Sequence, residues 1–253
     1  MGYGNLSMSR HGWAGGAAGG EPAYDYGWPS GGTSEPNVAA QWLFDEGSGN
    51  IVDEVSGITL VAQGTPDYSQ AITGSFAGLS PGIGLTATTE RFVKGSAEAS
   101  LNLTGAFVIE AVVDHQTPAD TNSYLFSTWD GVATDQQGVG ILYNAVAKVL
   151  TLFMKSETNV IVNSGFAGAV DLNDGPHKLR IAGTLGVSAE CFVDGVSKSS
   201  VSLATLSGET VAAHDVTAGG YAFSTNNTWG GDIYELRITV GNATNNSGGP
   251  GGG

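Results

Sequence analysis

The sequence predicts an all-β protein built as a two-sheet antiparallel sandwich preceded by a Gly-rich extended arm. Three observations point there. Gly occupies 40 of 253 positions and charged residues only 13%, so the helix-favouring Glu, Lys and Arg are scarce. Aliphatic residues come in short runs separated by Gly, Asn, Asp and Pro, the pattern of many brief strands. Asp194-Gly195 lies between the strand-like runs Ala189–Val193 and Val196–Val201, a strong hairpin signal because both turn positions need positive φ.

Along the chain, residues 1–36 stand apart. Ten are Gly, and Leu6 is the only Leu, Ile or Val, so the segment cannot build a core of its own. It nevertheless holds Tyr3, Trp13, Tyr24, Tyr26 and Trp28. Rings spaced along such an arm suit docking into pockets of another subunit, and the other reading is a tail whose rings lie on their own domain. The domain is expected over 37–244, with a flexible Gly-rich tail at 245–253. Val38, Ala40, Trp42 and Phe44 share one face of a first alternating strand, and Asp45-Glu46-Gly47-Ser48-Gly49 reads as a turn. Further strands are expected at 57–62, 74–79, 106–114, 123–128, 138–143, 149–155, 159–163, 177–184, 189–194, 196–201, 219–224 and 231–240. In the run from His177, residues His177, Leu179 and Ile181 alternate with Lys178 and Arg180, as in a strand buried on one face.

Net charge is −15, from 24 acidic and 9 basic residues, which argues against nucleic acid and against anionic lipid as partners. No apolar run is long enough to span a bilayer as a helix, so no membrane insertion is expected. Cys191 is the single cysteine, so no intrachain disulfide forms, and its apolar context marks it as a core filler. The N-terminus shows no apolar signal-peptide region, so for a protein acting outside the cell assembly in a cytoplasm and release by lysis are expected.

Five separated motifs share one resemblance. They are Trp42-Leu43-Phe44-Asp45-Glu46-Gly47-Ser48-Gly49 followed by Asp53, then Phe107-Val108-Ile109-Glu110-Ala111-Val112-Val113, then Gly175-Pro176-His177-Lys178, then Phe192-Val193-Asp194-Gly195, and finally Gly231-Asp232-Ile233-Tyr234-Glu235-Leu236-Arg237-Ile238-Thr239. In order and spacing they resemble laminin-G-like (concanavalin A-like) jelly rolls, and the Arg237-Ile238-Thr239 ending is most similar to versions in bacteriophage tail and virion proteins. Val112 and Pro176 stand where that pattern usually has Trp. The resemblance implies a jelly-roll sandwich with Glu110, Glu235 and Arg237 as framework ion pairs. It also implies a possible calcium site at a sheet rim, for which Asp45, Asp53 and Asp232 are the candidates; no other cofactor is required.

Enzymatic motifs are missing: the sequence has no G-x-S-x-G, H-E-x-x-H or C-x-x-C, nor the E-x-D-x-x-E of sandwich glycosidases. Gly82-Ile83-Gly84-Leu85-Thr86-Ala87 fits G-x-G-x-x-A but lies in an all-β setting, so it is not a dinucleotide loop. Two non-catalytic functions are expected. One is a virion structural or accessory protein on the particle surface, anchored to other virion proteins by its arm. The other is a lectin-like module binding host or environmental glycans. Sugars stack on aromatic faces beside a few polar groups. Tyr124, Trp129, Tyr143 and Trp229 are the candidate rings, with Asp130 and Asn227 as polar neighbours.

Overall fold

A computed structural model describes residues 38–72, 82–85, 89–116, 122–129, 137–167, 170–221 and 227–241. The arm, the strand expected at 74–79 and Asp130 lie outside these. Sixteen strands are formed among the described residues, with two short 3-10 turns, Ala99–Leu101 and Ala204–Leu206. No described helix is long and apolar enough to cross a membrane.

The strands make two antiparallel sheets, as the sequence predicts. In the first, β14 (Val196–Ser202), β13 (Ser188–Val193), β12 (His177–Thr184), β7 (Ala106–His115) and β16 (Gly231–Val240) run in that order. The far side of β16 is shared between β5 (Gly82–Leu85), which leads on to β4 (Asp67–Gln70), and β1 (Val38–Trp42). The second sheet runs β11 (Ile161–Gly165), β10 (Val149–Lys155), β9 (Gly138–Asn144), β8 (Ser123–Ser127), β15 (Val216–Ala218), β6 (Arg91–Lys94), β3 (Thr59–Gln63), β2 (Ile51–Val52). Thr217 of β15 pairs with Ser127 and Val93, so the last strand expected before Trp229 begins earlier, at Val216 rather than at 219. Strands β2, β4, β5 and β6 carry too few alternating apolar residues to stand out in the sequence. The two glycines of Gly82-Ile83-Gly84 sit inside β5, so that segment is a strand and not a phosphate loop.

The core lies between the sheets and takes the inward phase of each strand. Phe107, Ile109, Ala111 and Val113 of β7 meet Leu150, Leu152 and Met154 of β10 within one apolar cluster that also holds Trp42, Phe92, Phe126 and Phe166. The indole of Trp42 donates to the Ile58 carbonyl (3.1 Å), which satisfies its one polar atom. Cys191 is fully buried there, and burial pushes its thiol up to about 12, as a core filler requires. The β13–β14 hairpin turns on Asp194 (φ 52°) and Gly195 (φ 77°).

The outward phase of the first sheet departs from a simple solvated face. Lys178, expected to point into water, is buried with its Nζ 3.6 Å from Glu110, and desolvation pulls its ammonium down to about 8. A bulge in β16 between Ile233 and Glu235 turns Tyr234 outward, where it packs with Ile72 and Val112. A Cβ at Gly82 would overlap the Tyr234 ring, so the glycine admits it.

Candidate functional site

The outward face of the second sheet carries a group of rings that the core does not use. In β10, Leu150, Leu152 and Met154 point inward, which leaves Phe153 on the other side. Phe153 faces Gly140 of β9, and Gly140 is paired in turn with Ser127 of β8. Trp129, just past β8, lies over Gly140: a Cβ there would sit 2.8 Å from Trp129 Cζ2. Tyr124 also projects outward, because a bulge between Tyr124 and Phe126 sends both Leu125 and Phe126 into the core. Tyr221 arrives after Gly219-Gly220, held by the Gly219 N–H donating to the Leu125 carbonyl (2.8 Å).

Trp129 is the hub. Its ring centroid is 4.5 Å from Phe153, 5.4 Å from Tyr124 and 5.1 Å from Tyr221, all edge-on, and Tyr124 lies 5.6 Å from Tyr221 at 33°. Such geometry is worth about 0.5–1.5 kcal/mol per pair beyond area burial. Trp129 is nearly covered, whereas Tyr124, Phe153 and Tyr221 are half-buried and expose part of their rings. Burial raises the Tyr124 phenol, and neighbouring Tyr221 adds to the effect, so it stays a neutral hydrogen-bonding group. Among the described residues, the buried Trp129 Nε1 and the Thr217 Oγ1 across from Ser127 have no hydrogen-bond partner. Asn227, at φ 64°, accepts from the Tyr124 N–H through its backbone carbonyl (2.8 Å), which ties its segment to the strand that carries that ring.

The structure therefore brings together three of the expected residues, Tyr124, Trp129 and Asn227. It separates two others: Tyr143 and Trp229 are fully buried and pack edge-on around His115, at 5.1 and 4.9 Å. Tyr143 has the inward phase of β9 and Trp229, just before β16, joins the same core cluster, so neither presents a face to solvent, which corrects the expectation for both. His115 is held down by burial, against the hydrogen bond its Nδ1–H donates to Asn173 Oδ1 (2.8 Å). Phe153 and Tyr221 join the cluster unexpected. Phe153 had a signal, a large ring on the polar phase of an otherwise alternating strand.

The three calcium candidates are not brought together. Asp53 is buried and used up by its own turn and by β1, accepting from Val55 N, Ser56 N and Ser56 Oγ of the turn and from Gln41 N of β1. Asp232 pairs in register with Asp114 and accepts from Gln116 Nε2 (2.6 Å), while Asp45 is exposed on another loop. Among the described residues no group of three or more His, Cys, Asp or Glu side chains is placed to hold a metal.

Glu110 and Glu235 lie on the outward face of the first sheet, each buried. Glu110 sits 3.6 Å from both Lys178 Nζ and Arg180 Nε, and Glu235 accepts from Gln41 Nε2 (2.6 Å). Burial raises the Glu235 carboxyl to about 7, against the Gln41 hydrogen bond and Arg237. His177 is clamped between Asp194 (2.6 Å) and Asp174 (2.6 Å); the Asp194 hydrogen bond leads in raising it to about 9, against burial, so it is a cation at neutral pH rather than a base.

No protein-family model matches the sequence, and no curated protein matches it. Solved structures share the fold. The receptor-binding domain of botulinum neurotoxin C/D mosaic serotype is similar at a TM-score of 0.57 and 8% identity, over 80% of this chain and 48% of that one. The binding domain of botulinum neurotoxin DC, solved in complex with rat synaptotagmin II, is similar at 0.56 and 11%, with the same coverage. Botulinum neurotoxin type C, which depends on interaction with two ganglioside molecules to enter cells, is similar at 0.52 and 9%, over 80% and 47%. This chain thus spans about half the length of the neurotoxin binding domains it matches. At such identity the likeness establishes the two-sheet antiparallel sandwich and nothing finer.

Proposed function

We propose that the domain is a non-catalytic carbohydrate-binding module that stacks a sugar on the Tyr124–Trp129–Phe153–Tyr221 cluster. The observation that carries this is the clustering of four rings on the outward side of a sheet whose inward side already supplies the core. Stacked C–H faces need accessible rings backed by a rigid support, and Trp129 backs three half-exposed ones. Asn227 and the Tyr124 hydroxyl supply hydrogen bonds beside them. The similar structures support a binding role: cell entry of botulinum neurotoxin type C is dependent upon interaction with two ganglioside molecules, which are glycolipids.

A glycan array read with wild type, Tyr124→Ala and Tyr221→Ala tests it. Wild type retains glycans, and each variant loses about tenfold in affinity, about 1.4 kcal/mol. An array with no binders, or variants that bind as wild type does, removes the reading.

Display on a bacteriophage virion, anchored through residues 1–36 and shown on the particle surface, is a compatible finer reading. It rests on the Arg237-Ile238-Thr239 ending and the aromatic arm. If deleting residues 1–36 leaves particle incorporation unchanged, the anchoring half fails.

A further inference from the structure

We infer that the outward face of β12 and β13, on the opposite sheet from the rings, is a second binding site, for a carboxylate-bearing sugar. A groove of about 310 Å³ runs there along the two strands. Register explains its shape. Arg180 faces Phe192, Ala182 faces Glu190 and Thr184 faces Ser188, so the small Ala182 forms a floor between larger neighbours. The volume is at the small end of ligand pockets, enough for one sugar ring rather than an extended chain.

The charge at one end points to an anion. Glu110 lies 3.6 Å from both Lys178 Nζ and Arg180 Nε, and Glu235 also acts on the buried Lys178, so the cation open to a ligand is Arg180. Lys178 is sealed in at 4% exposure, whereas Arg180 is 27% exposed and lines the groove. Its guanidinium carbon stacks 5.3 Å from the Phe192 centroid, which fixes the plane of the fork. Beyond the ion pair through Nε, the Arg180 Nη groups make no hydrogen bond among the described residues. A planar fork with its outer edge unengaged matches a carboxylate in two-point contact.

The other end asks for hydroxyl groups. Glu190 accepts from Ser197 Oγ through Oε1 (2.5 Å), and its Oε2 is unengaged among the described residues. It lies about 8 Å diagonally from Arg180, from the strand spacing and rise. A polyanion at Arg180 would meet Glu190 as a like charge, and the net charge of −15 opposes it further. A monoanion carrying hydroxyls satisfies both ends at once, its carboxylate on Arg180 and a hydroxyl donating to Glu190, with Ser188 and Thr184 beside it.

Titration of the isotope-labelled full chain with sodium glucuronate, glucose and sodium acetate, followed by backbone amide NMR, tests this. Glucose lacks only the carboxylate, and acetate lacks the ring. Glucuronate is expected to shift amides of Arg180, Glu190 and Phe192 at least about tenfold more tightly than either control. Arg180→Lys keeps the charge beside Glu110 but not the fork and is expected to lose about tenfold; its own spectrum reports that it is folded. Absence of shifts at β12–β13, an equal response to glucose or acetate, or an unaffected Arg180→Lys would each overturn the assignment.

Discussion

Substituting His177 by glutamine should destabilise the protein only where the histidine is charged. The imidazole lies between Asp194 and Asp174, at 2.6 Å from each, and Asp194 also accepts from the Lys178 N–H (2.9 Å), so the hairpin turn and β12 meet at this one cation. Its folded value of about 9 against 6.5 sets a ceiling of about 3.4 kcal/mol, at about 1.36 kcal/mol per pKa unit. The ring is only 16% exposed, but Asp174 is 70% and Asp194 42% exposed, and solvent screening at the partners brings the expectation to about 1–2 kcal/mol. Between the two values the folded state binds more protons than the unfolded one. The stabilisation is therefore fully present below pH 6.5 and lost as pH rises through about 9. Lys178, drawn down to about 8 by burial, acts with the opposite sign over part of that window, so the quantity to read is the difference between wild type and variant. Urea unfolding at about pH 6 and about pH 10 should show that difference fall from about 1–2 kcal/mol to near zero, equivalent to about 2–8 °C in Tm at the lower pH. A difference that stays constant, or grows with pH, would refute the cation clamp.

Gly140→Val pushes a side chain into the buried Trp129 and should cost sugar affinity about tenfold by calorimetric titration and about 1–3 kcal/mol in denaturant unfolding, because the displaced indole holds three ring contacts. Gly82→Ala forces the Tyr234 ring off its seat, with an expected loss of about 1–3 kcal/mol in denaturant unfolding. Cys191, buried and held as a thiol, should react with a thiol reagent only at the rate at which the native protein opens; fast labelling of folded protein would contradict its placement. Chelation with EDTA should leave Tm unchanged, since Asp53 already serves the N–H groups of its own turn and Asp232 serves Gln116 and Tyr234.

Much of the fold was legible because inward residues announce themselves. The alternation in β10 and the apolar length of β7 follow directly from burial on one face or on both. Asp194-Gly195 was legible from backbone chemistry alone. The short strands were not: β5 is Gly-Ile-Gly-Leu and β4 is Asp-Tyr-Ser-Gln, and each exists because a neighbour offers it an edge. Lys178 was misjudged for a related reason. Alternation assigns a side chain to a face, but whether that face is wet depends on what Glu110 and β16 bring beside it.

The same distinction explains what happened to the candidate ligand-binding rings. A tyrosine or tryptophan near a predicted loop looks accessible, yet accessibility is decided by strand phase. Tyr143 stands two residues after Ile141 on β9 and shares its inward phase; Gly140 and Leu142 take the other. Phase is recoverable from sequence only when the strand's neighbours disclose it, as they do for Phe153 between Leu152 and Met154. It is lost where a bulge intervenes, as between Tyr124 and Phe126, or where a ring arrives by a loop, as Tyr221 does. The two outward faces consequently differ in kind. One sheet turns rings outward over a glycine, and the other turns a charged ladder outward over an alanine floor. A fold whose inward phase is committed to packing leaves its chemistry to the outward phase, and there a single small residue decides whether a surface is flat or can seat a ligand.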